Sequence, residues 1–133
     1  MEPRIEGRVQ EILHGRDAAH VAIARADGSI QSVIVWAGEE DGLIALNSAV
    51  GRVWPAALER AGRATVTMLA DGNLHEWFSI EARLVAVTTD GAREHIDALA
   101  EKYGSGPFHP RSPTEQRVKL TLRPERIYYL KQD

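Results

Sequence analysis

Residues 18–37 read AAHVAIARADGSIQSVIVWA, two β-rich runs on either side of the pair Asp27-Gly28. An Asp-Gly pair between two such runs is one of the strongest hairpin signals that a sequence offers. A second turn at residues 39–42, EEDG, leads into a third apolar run at residues 43–47. The stretch therefore predicts three strands that follow one another in an antiparallel meander.

The remainder of the chain predicts three more strands and three helices. Alternating apolar and polar residues indicate strands over residues 64–69 and 115–130, with Pro124 at a bend or an edge position. A run rich in aromatic and aliphatic residues indicates another strand over residues 75–88. Helical signals indicate a short helix over about residues 3–14, a second from Pro55 to Gly62, and a third capped by residues 88–90. Six antiparallel strands with inserted helices predict a mainly β, closed or partly closed barrel, with residues 1–133 as one domain.

Composition argues against several classes of function. A net charge of −3 and a pI near 5.9 do not suit a nucleic-acid-binding protein. The chain has no cysteine, and its five histidines lack metal-site spacing, so we expect no metal site. No apolar run approaches the roughly 20 residues needed to cross a bilayer, and the N-terminus lacks a signal-peptide pattern. We therefore expect a soluble, cytoplasmic protein that does not associate with membranes.

The segment from Asn47 to Pro55 has the features of an anion site. A strand ends at Asn47, Gly51 permits a tight turn, and a helix begins near Pro55, which brings backbone N–H groups to one spot. Ser48 adds a hydroxyl donor, and Arg52 adds a guanidinium that suits phosphate. The alternative is an ordinary strand–turn–helix connection with a surface arginine.

Several of these runs resemble, in order, the pyridoxamine 5′-phosphate oxidase-like superfamily of FMN-binding split barrels. Residues 22–36 resemble its first hairpin, and residues 42–52, GLIALNSAVGR, resemble its third strand and phosphate loop. Residues 76–77 and 81–84 are similar to its fifth strand, and residues 115–118 and 123–127 to its last strand. Within the superfamily, the likeness is greatest to reductases that use the deazaflavin coenzyme F420. The resemblance implies a homodimer with two cofactor sites at the subunit interface.

The resemblance also implies which residues bind the cofactor. The candidates are Ile34, Val35, Trp36, Asn47, Ser48, Gly51, Arg52, Trp54 and Trp77. Each tryptophan has a plainer alternative: barrel core for Trp36, packing of the helix start for Trp54, and dimer-interface packing for Trp77. Family members usually carry two basic residues directly after the position of Arg52, where this chain has Val53 and Trp54. This departure predicts weaker binding, compensation by another arginine, or a different ligand.

The predicted function is hydride transfer from reduced F420 to a conjugated or electron-poor organic substrate. An FMN-dependent oxidase or reductase of the same fold is the second hypothesis, and a non-catalytic ligand-binding protein is the third. The sequence assigns no catalytic residue, because the cofactor would perform the chemistry. A proton could come from water, His109 or Tyr103.

Overall fold

Seven strands and three helices make up residues 2–132, the part of the chain described by the computed structural model. The helices are α1 (Gly7–Leu13), α2 (Val53–Ala61) and α3 (Ala92–Lys102). The strands are β1 (Ala19–Ala24), β2 (Ile30–Val35), β3 (Ala37–Glu40), β4 (Leu43–Ala49), β5 (Arg63–Ala70), β6 (Asn73–Thr88) and β7 (Arg117–Lys131). They form one antiparallel sheet in the order β2-β1-β5-β6-β7-β4-β3, so the mainly β prediction is confirmed.

The first hairpin forms where the sequence predicts it. All six residues of β1 pair with β2, from Ala19 opposite Val35 to Ala24 opposite Ile30. In the turn, the Asp27 carboxylate accepts hydrogen bonds from the backbone N–H and the hydroxyl of Ser29, both within 2.9 Å. The predicted hairpin is therefore confirmed, and a local side-chain contact helps to shape its turn.

The predicted meander is wrong beyond this hairpin, and the sheet has seven strands rather than six. Residues 37–40, AGEE, form β3 and pair with β4 across a tight turn in which Asp41 and Gly42 both have positive φ. β2 and β3 are the two edges of the sheet, although Trp36 alone separates them. The Cα atoms of Val35, at the end of β2, and Ala37, at the start of β3, therefore lie within about 8 Å, the span of two peptide units. The sheet therefore curls until its edges meet at Trp36, as a partly closed barrel requires.

The helices differ from prediction mainly at their ends. α1 begins at Gly7 rather than near residue 3, and it buries Val9, Ile12 and Leu13 in the barrel core. α2 ends at Ala61, and its C-cap Gly62 has a left-handed φ of 76°, as predicted for a glycine that closes the helix. The predicted cap of α3 at residues 88–90 is wrong, because Gly91 is the N-cap and no side chain caps this helix. No helix within residues 2–132 is both long and apolar enough to span a membrane.

Pro124 lies where β7 loses one neighbour, as predicted for a bend or an edge. The pairing of β7 with β4 ends at Leu122, and the register with β6 shifts beside Ala82, the partner of Pro124. The missing N–H of proline therefore costs no hydrogen bond on the β4 side. The first half of β7, by contrast, is a central strand that carries residues to the candidate site.

Candidate functional site

A pocket of about 450 Å³ opens where β2 passes into β3, next to β4, the start of α2, α3 and the loop after α3. Seven of the nine predicted site residues line it: Ile34, Val35, Trp36, Asn47, Ser48, Arg52 and Trp54. The fold thus brings the ring-binding strand and the phosphate loop of the prediction to one place. Binding by these residues stays a prediction.

Gly51 and Trp77 do not line the pocket. Gly51 has a φ of 94° in the turn between β4 and α2, so its role is to let the chain turn. Trp77 lies on β6 between Leu69 of β5 and Leu130 of β7. Its contact with a partner subunit's cofactor stays a prediction.

Three arginines from separate parts of the chain line the pocket. Arg52 is the N-cap of α2, Arg111 lies in the loop after α3, and Arg117 begins β7. The Glu115 carboxylate joins them: it pairs with Arg117, lies 3.8 Å from Arg52 and accepts the Arg111 backbone N–H at 2.6 Å. Burial raises the pKa of Glu115, but the hydrogen bonds from Arg111 and Arg117 outweigh it, so the pKa lies below its usual range. Two guanidinium groups and one backbone N–H therefore converge on one carboxylate.

The side chain of Asn47 is buried and fully engaged with the protein. Its oxygen accepts the Arg117 Nε–H at 2.9 Å, and its nitrogen donates to the Ala92 carbonyl and to His95 Nδ1, each at 2.9 Å. Burial, together with the positive charge of Lys119, lowers the pKa of His95 to about 4. His95 is therefore neutral near pH 7 and accepts the hydrogen bond from Asn47 through an unprotonated Nδ1.

Some hydrogen-bond donors around the turn from β4 to α2 have partners within the protein, and others have none. The backbone N–H groups of Val50 and Arg52 donate to Gln116 and Ala49, so this turn has fewer free N–H groups than its sequence predicts. The N-cap residue of α2, Arg52, makes no side-chain capping hydrogen bond. Ser48 Oγ is buried at the pocket and has no hydrogen-bond partner within the described chain. A buried hydroxyl without a partner costs free energy, so it favours a polar ligand group here.

Trp36 and Tyr103 form a stacked pair beside the pocket, with ring centroids 5.3 Å apart and planes 12° apart. The Tyr103 hydroxyl accepts the Ala37 N–H at 3.1 Å and lies 2.9 Å from the Asp17 carbonyl, to which it donates. Burial raises the pKa of this phenol. Tyr103 is not among the lining residues, whereas the exposed imidazole of His109 is. Of the two predicted proton donors, only His109 therefore faces the pocket.

Sequence reasoning missed the arginines that complete the site. Arg111 and Phe108 lie in a loop without periodicity, and Arg117 occupies one position in an alternating strand, where arginine is common. His95 was a polar residue in the first turns of a predicted helix. The missing basic pair after Arg52 was the one useful signal, because compensation by another arginine was one of the three outcomes that it predicted.

The fold is that of several solved structures. An F420 reductase superposes with a TM-score of 0.80 at 16% identity, over 92% of this chain and 98% of the other. A candidate pyridoxamine 5′-phosphate oxidase from Listeria innocua gives 0.72 at 13% identity, over 94% and 97%. The conserved protein Rv2991 from Mycobacterium tuberculosis gives 0.73 at 14% identity, over 98% and 89%. No protein-family model and no curated protein sequence matches the chain. The chain therefore has the split-barrel fold of pyridoxamine 5′-phosphate oxidase-like proteins, as its sequence resemblance predicted.

Proposed function

We propose that this chain is an oxidoreductase that binds reduced coenzyme F420 in the pocket between β2, β4 and α2. The observation that carries the proposal is the meeting of Arg52, Arg111 and Arg117 at a pocket also lined by Trp36 and Trp54. A flavin or deazaflavin cofactor has two parts that match these residues: an anionic chain for the arginines and an aromatic ring system for the tryptophans. The 16% identity to the F420 reductase supports the fold alone, so the proposal depends on the site.

The charges of the pocket suit a phosphate group. Three arginines against the single carboxylate of Glu115 leave an excess of two positive charges. The Arg117 side chain is only 7% exposed, and this burial lowers its pKa. A bound anion would compensate for the lost solvation of the cation, and the unpartnered Ser48 hydroxyl would donate to that anion. Arg111 and Arg117 therefore supply the charge that Val53 and Trp54 do not.

The other walls suit a flat ring. Ile34, Val35, Trp36 and Trp54 are among the residues that line the pocket. Two of these side chains are aromatic and two are aliphatic, so together they would pack against a ring. Reduced F420 would supply a hydride to an electron-poor substrate. The His109 imidazole, at the exposed rim, is placed to give a proton to the product through a ring N–H.

The direct test is a fluorescence titration of the purified protein with F420 and, separately, with FMN. We expect binding of F420 that weakens by about tenfold or more in Arg52→Ala, the loss expected for one charge-assisted contact to phosphate. Arg60→Ala is the matched control, because Arg60 lies in the last turn of the same helix and does not line the pocket.

The titration also separates the three hypotheses. Tight binding of FMN without binding of F420 would make the chain an FMN enzyme of the same fold. Binding without hydride transfer to any conjugated acceptor would favour the non-catalytic ligand-binding protein. Equal affinities in Arg52→Ala and the parent protein would show that the phosphate-loop assignment is wrong.

We also propose that two copies of the chain associate through the outer face of β2, β1, β5 and β6. Alternate residues of these strands point away from the core, and the exposed apolar side chains Ile30 and Ile34 stand at its β2 edge. A depression of about 500 Å³ on this face is lined by Ala22, Thr65 and other residues. Ile34 also lines the cofactor pocket, so a second copy on this face would help to close that pocket.

Sedimentation of the purified protein tests this association. We expect a dimer that Ile34→Lys converts to a monomer, since a charge would be buried without a partner. Val85→Lys is the control, because Val85 is exposed on β6 beyond the end of β5. A monomeric parent protein, or a dimer unaffected by Ile34→Lys, would contradict the proposed face.

A further inference from the structure

The guanidinium of Arg117 is buried and held on two of its three nitrogens. Nε donates to Asn47 at 2.9 Å, Nη1 pairs with Glu115, and the Phe108 ring centre lies 4.7 Å from Cζ. Nη2 has no hydrogen-bond partner within residues 2–132, and the residue lines the pocket. The side chain is 7% exposed. Arg117 therefore keeps one edge of a desolvated cation free for an anionic ligand.

The orientation of Asn47 is itself set by α3. Both amide hydrogens are used, one by the Ala92 carbonyl and one by His95 Nδ1. The amide oxygen must therefore face Arg117, because a flipped amide would place its N–H groups against the guanidinium. This arrangement requires His95 to accept, and hence to be neutral. The charged groups around the imidazole are Lys119 and Arg117, which oppose its protonation, and Glu40, which favours it.

We propose that Asn47 and His95 are positioning residues that hold the free edge of Arg117 toward the pocket and so set the affinity for the anionic end of the cofactor. The inference rests on the proposed function for its ligand. It gives Asn47 an indirect role, because both the nitrogen and the oxygen of its amide are hydrogen-bonded to the protein, although the residue lines the pocket. His95 does not line the pocket, so any effect of His95 on binding must act through other side chains.

Two substitutions of His95 separate positioning from simple support of the fold. In His95→Gln, the side-chain oxygen can accept the Asn47 hydrogen bond in place of Nδ1, whereas in His95→Leu nothing can. We expect His95→Leu to bind F420 or FMN about tenfold more weakly, and His95→Gln to stay within about twofold of the parent protein. Val66→Ala, a truncation in the core of β5, controls for a general loss of stability. Equal affinities for the two His95 variants would overturn the inference.

A second measurement needs no cofactor. In ¹⁵N NMR spectra, we expect the Arg117 Nε–H to exchange slowly with water in the parent protein and in His95→Gln, and quickly in His95→Leu. This readout remains decisive if the parent protein binds neither F420 nor FMN, a result that would sink the proposed function. Slow exchange in both His95 variants would overturn the positioning role whatever the cofactor result.

Discussion

The Tyr103 hydroxyl holds the corner where the chain passes from β2 to β3, and its removal gives a sharp prediction. This oxygen accepts the Ala37 N–H at 3.1 Å and donates to the Asp17 carbonyl at 2.9 Å. Ala37 is fully buried. In Tyr103→Phe the ring and its stacking on Trp36 remain, but the Ala37 N–H loses its partner.

The expected cost follows from this contact. A buried N–H left without a partner destabilises a protein by about 1–3 kcal/mol. A chain of 133 residues unfolds with an entropy of about 0.28 kcal/mol/K, so the same change lowers the Tm by about 4–11 °C. Because the Trp36 ring keeps its neighbour, cofactor affinity should change by less than about threefold.

Urea unfolding followed by circular dichroism, with a thermal melt of the same samples, measures both quantities. Tyr128→Phe is the matched control, because Tyr128 is exposed and, within residues 2–132, the only side chain hydrogen-bonded to its hydroxyl is that of Arg126, at 3.3 Å. Its stability should equal that of the parent protein. If Tyr103→Phe is as stable as Tyr128→Phe, the Tyr103 hydroxyl does not support this corner, and the reasoning is refuted.

Three further predictions concern stability. The pKa of His95 is about 4 in the folded protein, whereas the ordinary value is 6.5. Between these two pH values the unfolded chain binds a proton at His95 and the folded chain does not. The free energy of unfolding should therefore fall as the pH drops from 6.5 to 4. Over the same pH range, the urea midpoint of His95→Gln should fall less than that of the parent protein. Hydrogen bonds from Arg8 and Tyr129 lower the pKa of Glu76 to about 2 from an ordinary 4.5, so its contribution is complete above pH 4.5 and lost toward pH 2. The stability difference between the parent protein and Glu76→Gln should therefore shrink over that range, and a constant difference would contradict the assignment. Gly62→Ala places an L-residue at a φ of 76° and should cost about 1 kcal/mol in urea unfolding, whereas an unchanged midpoint would show that the turn relaxes freely.

Local features of the sequence predicted most of the individual elements. Alternation identified β5 and β7, apolar and aromatic content identified β6, and helical spacing identified the buried face of α1. These signals succeed because side-chain periodicity and turn chemistry depend on residues only a few positions apart. β3 escaped prediction because AGEE has little β propensity, and its pairing with β4 stabilises it instead.

The sequence also indicated a candidate anion site at residues 47–55, and it pointed to seven of the residues that line the pocket. The chemistry of that segment alone was ambiguous, because one arginine at a strand–helix turn is common on protein surfaces. The tertiary structure favours an anion site over a surface arginine, because it brings Arg111 and Arg117 from distant positions to the same pocket as Arg52. It also showed that Tyr103 supports the barrel corner, whereas the sequence had offered it as a proton donor.

The sequence by itself determined the hairpin, the buried faces and the turn that leads into α2, since each depends on neighbouring residues. Only the tertiary structure decided which cations meet at the pocket. Asn47 and Arg117 are 70 positions apart, and they meet because β4 pairs with β7 in a register that sets Ala49 opposite Arg117. A shift of one residue would turn Arg117 to the other face of the sheet. That register depends on the packing of the whole barrel, which no local pattern encodes.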